Sequence, residues 1–295
     1  MVSPRGLAAL ALIVWTGTVV AGVSAQPSSP LPDQESFFAE VRKRLASNDL
    51  IQSRYSYRER STEVRLNPFG AMGTGPELVY EVYPHPNDEL TYKRLVERDG
   101  RPLTKEEIEA HDREYRERLK AWEHRVAREG SSDRVLRLRK AEEERLKDEA
   151  RAREALDMFT FRLEGRDTWE GQPAIIISFT PKANATPRSR EGRIARAFAG
   201  QVWVHEHEYE VMNVEAKAIS DVSFGFGMIG KLYHGSTATF TRRRLEGAWL
   251  PVQTTFKGTG RALMVRKMTF NYSRSYYAYQ PFEPGDLPSR LGWER

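Results

Sequence analysis

Three groups of residues have the types and spacing to do chemistry. Gly225-Phe226-Gly227-Met228-Ile229-Gly230-Lys231-Leu232 fits G-x-G-x-x-G, and it fits the phosphate loop G-x-x-x-x-G-K up to Leu232, where Ser or Thr would hold magnesium. Such a loop holds a phosphate only when a strand leads into it and a helix N-terminus follows. Here Gly235 and a β-branched Ser/Thr run follow, which is poor helix material. Glu246 stands where a ribose contact would fall, but Leu245-Glu246-Gly247-Ala248 reads as a hairpin turn. The glycines therefore predict a loop between two strands, with no nucleotide. His205-Glu206-His207 offers two imidazoles, which strand alternation would point outward on one face; H-E-x-x-H fails because Tyr209 occupies its last place. A polar turn between strands is the better reading. The remaining carboxylates are abundant, but no spacing singles out a pair, there is no G-x-S-x-G elbow, and the chain has no cysteine. The sequence thus predicts no catalytic residue, no metal ligand set and no cofactor.

The elements around these residues alternate between two rhythms. Phe37, Phe38, Val41 and Leu45 recur at helical spacing after residue 34, and strand-like runs follow at 51–64, 78–83 and 90–97, the last closed by Asp99-Gly100. A charged insertion, 104–157, then opens with a capping box, Thr104 to Glu107. Its two helices, with stripes Ile108, Tyr115, Leu119, Trp122, Val126 and Val135, Leu138, Leu146, Ala150, Leu156, are separated by Gly130-Ser131-Ser132-Asp133 and predict a helical hairpin with few core contacts. From Phe159 the chain returns to strands, about ten in all, interrupted by a short basic helix that carries Ile194, Ala197 and Phe198 with Arg193 and Arg196 around it. In the strand after Tyr209, Met212, Val214, Ala216 and Ala218 alternate with Asn213, Glu215 and Lys217; Leu250, Val252 and Phe256 repeat the pattern in a later strand. The side chains of the first set shrink toward its end, beside Phe224, Phe226, Met228 and Ile229 of the glycine loop. That is where filling of the core should run out.

Residues 1–25 place Arg5 before an apolar run from Leu7 to Val20 and end on Val23-Ser24-Ala25, the pattern of a secretory signal cleaved after Ala25. Residues 26–33 are a Pro/Ser spacer. Lys and Arg number 46 against 41 Asp and Glu, a formal charge of +5, with the two signs interleaved. Interleaving excludes a nucleic-acid footprint and leaves anionic lipid headgroups as plausible partners.

Gly200-Gln201-Val202-Trp203-Val204 followed by Glu210-Val211-Met212-Asn213-Val214-Glu215 resembles the G-x-V-x-V…V-x-x-V-E hairpin of LolA/LolB-like periplasmic lipoprotein carriers and their outer-membrane lipoprotein-sorting relatives. The order helix, strands, helices, strands agrees over residues 34–282, with 283–295 as a C-terminal tail; the helical insertion is longer and more charged than the family's lid helices. The resemblance implies an α+β fold, an open antiparallel half-barrel with covering helices. It also implies a non-catalytic periplasmic carrier that takes acyl chains of a lipid or lipoprotein on its concave face and exchanges them with membrane-bound donor and acceptor proteins. Met212, Val214, Ala216, Ala218, Phe224, Phe226, Met228 and Ile229 would then meet the chain, and Arg193 and Arg196 the headgroup. The alternative on the same fold is an envelope regulatory or scaffolding protein that acts through the charged hairpin.

Overall fold

The computed structural model describes residues 30–66, 72–224, 230–262 and 266–293, and residues 31–295 form one compact unit. Its first element, α1 (Gln34–Gln52), starts where the Asp33 carboxylate accepts from the Ser36 amide at 3.0 Å. Phe37 and Val41 are its buried face, and each such side chain contributes about 1.5–3 kcal/mol by leaving water. They pack on Ile175, Ile177, Val204 and Val211 of the sheet, with Phe37 edge-on to Tyr209 at 5.4 Å.

Among the described residues the sheet has thirteen strands: β1 (Tyr55–Leu66), β2 (Met72–Tyr83), β3 (Tyr92–Arg98), β4 (Arg101–Pro102), β5 (Phe159–Trp169), β6 (Gln172–Pro181), β7 (Phe198–His205), β8 (Val211–Ala218), β9 (Val222–Phe224), β10 (Gly230–Leu232), β11 (Thr237–Leu245), β12 (Ala248–Ala262) and β13 (Arg266–Pro281). The main path runs β4-β3-β2-β1-β13-β12-β11-β8-β7-β6-β5, antiparallel throughout, with β10 on β12 and β9 on β10. β4 and β5 end this path without pairing to each other, so the fold is an open α+β half-barrel. The three strands beyond the ten expected are short, and Phe198, placed in the basic helix by its apolar spacing, instead opens β7. Both turn readings hold: Glu246 and Gly247 turn β11 into β12 at φ 49° and 78°, and Gly230 pairs with Phe224 across the glycine loop, with a further strand rather than a helix after it. The tip of that loop, residues 225–229, lies outside the described residues.

The insertion departs from the expected hairpin with few core contacts, because its first helix is anchored in the core. Its first helix, α2 (Lys105–Ala127), has the expected capping box, with Glu107 N donating to Thr104 Oγ1 and Thr104 N to Glu107 Oε2. It is bound to β3 by a buried carboxylate. Asp112 takes Arg94 in a bidentate grip at 2.8 and 2.9 Å, the Tyr92 hydroxyl at 2.6 Å and the Trp293 indole at 3.3 Å. Tyr115 stacks on Tyr92 with ring centres 4.1 Å apart, and Phe282, just after β13, joins the same cluster. The second helix of the insertion, α3 (Ser131–Asp157), buries none of its residues; Val135, Leu138 and Leu146 are exposed. Their stripe therefore does not meet the stripe of α2. Instead α3 ends against α4 (Arg190–Ala195), where Glu154 accepts from the amides of Arg188 and Ser189 at the start of that helix. The tail after β13 carries α5 (Leu287–Leu291) and packs Leu287 into the Tyr92–Tyr115 cluster. No helix among the described residues is long and apolar enough to cross a membrane.

Candidate functional site

The face of the sheet that carries α1 and α4 is the candidate site. Cross-strand register sets its rows: Ala216, Ala238, Phe256 and Tyr272 lie opposite one another across β8, β11, β12 and β13, and Val214, Phe240, Thr254 and Arg274 form the next row. Period-two alternation puts all eight on one face. Val214, Ala216, Ala238, Phe240, Phe256 and Tyr272 are each only partly buried, whereas neighbouring strands under α1 are closed by Phe37 and Val41. The result is an apolar floor in mid-sheet, with small side chains at Ala216 and Ala238. On α1 itself Leu45 and Leu50 remain exposed, at 38% and 61%.

Toward β1 the floor becomes polar. Glu59, with 3% of its side chain exposed, pairs with Lys93 at 2.9 Å and Arg274 at 3.0 Å. Tyr57 lies between Tyr276 and Tyr279, at 5.9 and 5.2 Å, and burial, reinforced by the Glu59 charge, pushes its hydroxyl up to about 12. At the far end of β11, Arg242 is buried, donating to Glu210 Oε2 at 2.8 Å and to the Trp249 carbonyl at 2.6 Å. These charges are paired with one another and frame the floor.

The expected site residues divide. Val214 and Ala216 are on the floor. Ala218 is on the same face but closed off, 2% exposed among Ala197, Phe198, Val222 and Leu232. Met212 belongs to the other face: it is fully buried with Ala174, Trp203 and Trp249. The reason is a bulge. Trp203 pairs with Asn213 while Val204 pairs with Val211, so Met212 is the extra residue and the alternation slips by one. A second bulge, between Arg242 opposite Pro251 and Thr241 opposite Gln253, separates Val252 from Phe256 in the same way, and Val252 lines a groove on the opposite face. Phe226, Met228 and Ile229 lie outside the described residues, as does the side chain of Phe224. Arg193 and Arg196 are exposed on and just after α4, beside Ile194, which packs in the cluster of Ala216 and Phe256. His205-Glu206-His207 is the expected polar turn, without the outward His205 imidazole that strand alternation would give. His205 is buried at the end of β7, and its Nδ1 accepts from the amides of His207 and Glu208 at 3.3 and 3.1 Å, so the imidazole holds a turn instead of pointing outward. Sequence reasoning missed Ala238, Phe240, Tyr57 and Glu59. The alternation Ala238-Phe240 was readable in β11, but a buried Glu59 had no signal apart from its partners.

No family model matches the chain, and no curated protein matches it. Among solved structures, it is similar to a DUF1329 family protein from Desulfovibrio piger, with 11% identity over 90% of this chain and 100% of that one at a TM-score of 0.30. It is also similar to a protein domain from Vibrio parahaemolyticus named for outer-membrane lipoprotein sorting, with 8% identity, 88% and 99% coverage and a TM-score of 0.32. A LolA superfamily protein from Nitrosomonas europaea follows, with 8% identity, 86% and 96% coverage and a TM-score of 0.27. LolA-like proteins, the group that the β7–β8 sequence resembles, are thus among these similar structures. At overlaps of this depth the architecture rests on the strand order and register of the chain itself.

Proposed function

We propose that this protein is a non-catalytic periplasmic carrier that holds acyl chains of a lipid or lipoprotein against the floor formed by Val214, Ala216, Ala238, Phe240, Phe256 and Tyr272. The observation that supports it is this partly exposed apolar strip in the middle of an open sheet, with Leu45 and Leu50 exposed on the helix of the same face. An acyl chain laid there gains about 0.8 kcal/mol for each CH₂ withdrawn from water, enough for reversible holding without any covalent step. Arg193 and Arg196, exposed beside the floor, supply cations for an anionic headgroup. Export by the N-terminal signal would put the floor where membrane-bound donors and acceptors exchange lipid; N-terminal sequencing of the processed chain should then begin at Gln26.

Native mass spectrometry of protein purified from its own envelope should find retained lipid, and a fluorescent fatty acid should titrate against it. Val214→Asp with Ala216→Asp should abolish that titration in a variant that still melts cooperatively, although both side chains touch buried clusters and the melting temperature should fall. A wild-type protein that retains no lipid and binds no acyl probe overturns the carrier. The second reading, a scaffolding protein acting through the insertion, draws support from α3, which exposes Val135, Leu138 and Leu146 and buries nothing. It predicts that Leu138→Glu with Leu146→Glu removes a crosslinked envelope partner while leaving acyl binding intact.

A further inference from the structure

The opposite face of the same sheet carries a second feature, independent of the carrier reading. Where the two bulges fall on β8 and β12, the outer surface sinks into an open groove of about 400 Å³, within the range of about 300–1,000 Å³ usual for small-ligand clefts. Trp169, Asn213, Glu215, Thr241, Gln253 and Ser275 line it, together with the pair Glu170 and Arg243. Bulges of this kind re-aim side chains and recur beside binding sites. Here they bracket a cross-strand row, with Asn213 opposite Thr241, Thr241 opposite Gln253 and Gln253 opposite Ser275.

The row is held in place before any ligand arrives. Asn213, only 2% exposed, accepts from the Thr241 hydroxyl at 2.9 Å and donates to Glu215 at 3.3 Å, and Thr239 shares a hydrogen bond with Thr255 at 2.6 Å. Trp169 packs against Trp203, ring centres 5.1 Å apart, and its own Nε1 has no hydrogen-bond partner, whereas the Trp203 Nε1 donates to Asp167. Glu170 and Arg243 neutralise each other in a two-fold hydrogen-bonded pair, Nε to Oε2 at 2.7 Å, which leaves Glu215 as the net charge of the groove.

That composition selects its ligand. An acyl chain would strand the amides and hydroxyls without partners, which costs about 1–3 kcal/mol for each buried group. A phosphate or carboxylate meets a groove with an uncompensated carboxylate. A sugar chain meets what it needs: interspersed donors and acceptors from amides, hydroxyls and a carboxylate, plus an indole for the apolar face of a pyranose ring. The openness of the groove suits a segment of a chain rather than an enclosed small molecule. We infer that the outer groove around Trp169, Asn213 and Gln253 binds a neutral oligosaccharide.

Saturation-transfer NMR and tryptophan fluorescence titration of the full chain with chitotetraose, cellotetraose and maltotetraose test it. At least one saccharide should bind at millimolar concentration or below. Gln253 is exposed and its side chain makes no hydrogen bond among the described residues, so Gln253→Ala should weaken binding about 3- to 10-fold, the loss of one hydrogen bond, with the melting temperature unchanged. Trp169→Phe should retain part of the affinity and Trp169→Ala should lose it; if the alanine variant unfolds, the phenylalanine and Gln253 variants carry the test. No response to any of the three saccharides, or equal affinity in wild type, Gln253→Ala and Trp169→Phe, overturns the proposal.

Discussion

A methyl group at position 200 has nowhere to go. A Cβ built on Gly200 would stand 1.9 Å from the Glu215 carbonyl oxygen and 2.8 Å from the Phe179 ring, so the first residue of the G-x-V-x-V run is glycine because β7 passes too close to β8 for anything larger. Gly200→Ala should cost about 1–3 kcal/mol or more in urea unfolding, since the obstacle is backbone. Arg242 makes the converse case, where a large charged side chain is required by its surroundings. Arg242→Met leaves Glu210 buried and unpaired and should cost about 3–5 kcal/mol, part of which a second change, Glu210→Gln, should restore. His205 ties stability to pH. Burial holds its imidazole below the ordinary value of 6.5, so the unfolded chain binds the proton more readily. The contribution of His205 is therefore complete above that value and is lost as pH falls toward the folded pKa. His205→Asn, whose Oδ1 can accept in place of Nδ1, should flatten this part of the stability profile measured by thermal melts from pH 8 downward.

The two helices of the insertion look alike in composition yet behave as different elements. α2 is bound through Asp112 and Tyr115, while α3 is held through Arg137 on Glu129 at its start and through Glu154 near its end. Asp112→Ala removes the carboxylate that Arg94, Tyr92 and Trp293 share, and should cost about 3 kcal/mol and speed tryptic cleavage within α2. Leu138→Ser and Leu146→Ser should stay within about 0.5 kcal/mol of wild type, as surface changes do. Were those leucines folded against α2, the same changes would cost several times as much. The rows of Glu and Arg along α3, such as Arg145 with Glu142 and Glu149, are solvent-exposed pairs that support the helix locally and fasten it to nothing.

At the scale of the molecule the sheet is made from two runs of strands joined by the last one. β13 pairs with β12, the strand before it, on one side and with β1 on the other, so Tyr276 lies opposite Glu59 across most of the chain. Neither run of strands can complete its hydrogen-bond ladder until β13 is in place. Tyr276→Pro, in a strand flanked on both sides, should therefore remove more than about 3 kcal/mol and abolish near-UV circular dichroism throughout rather than fray one edge. A loss confined to β1–β4, seen by hydrogen exchange, would show that the other run folds without it.

Local chemistry determined much of this protein from the sequence alone. The capping box at Thr104, the turn at Glu246-Gly247 and the return to strands after Phe159 depend on neighbours a few residues apart, and the glycine loop was excluded as a phosphate cradle because the residues after it cannot make a helix. Which face each strand residue presents was decided only by tertiary pairing. One extra residue at Met212 and another near Val252 exchange inside for outside, and a bulge exists only relative to the partner strand. The same holds for Glu59 and Asp112. Glu59 takes its cations from β3 and β13 and Asp112 takes its cation from β3, so the charge pattern around either residue reads as surface until the strands have paired.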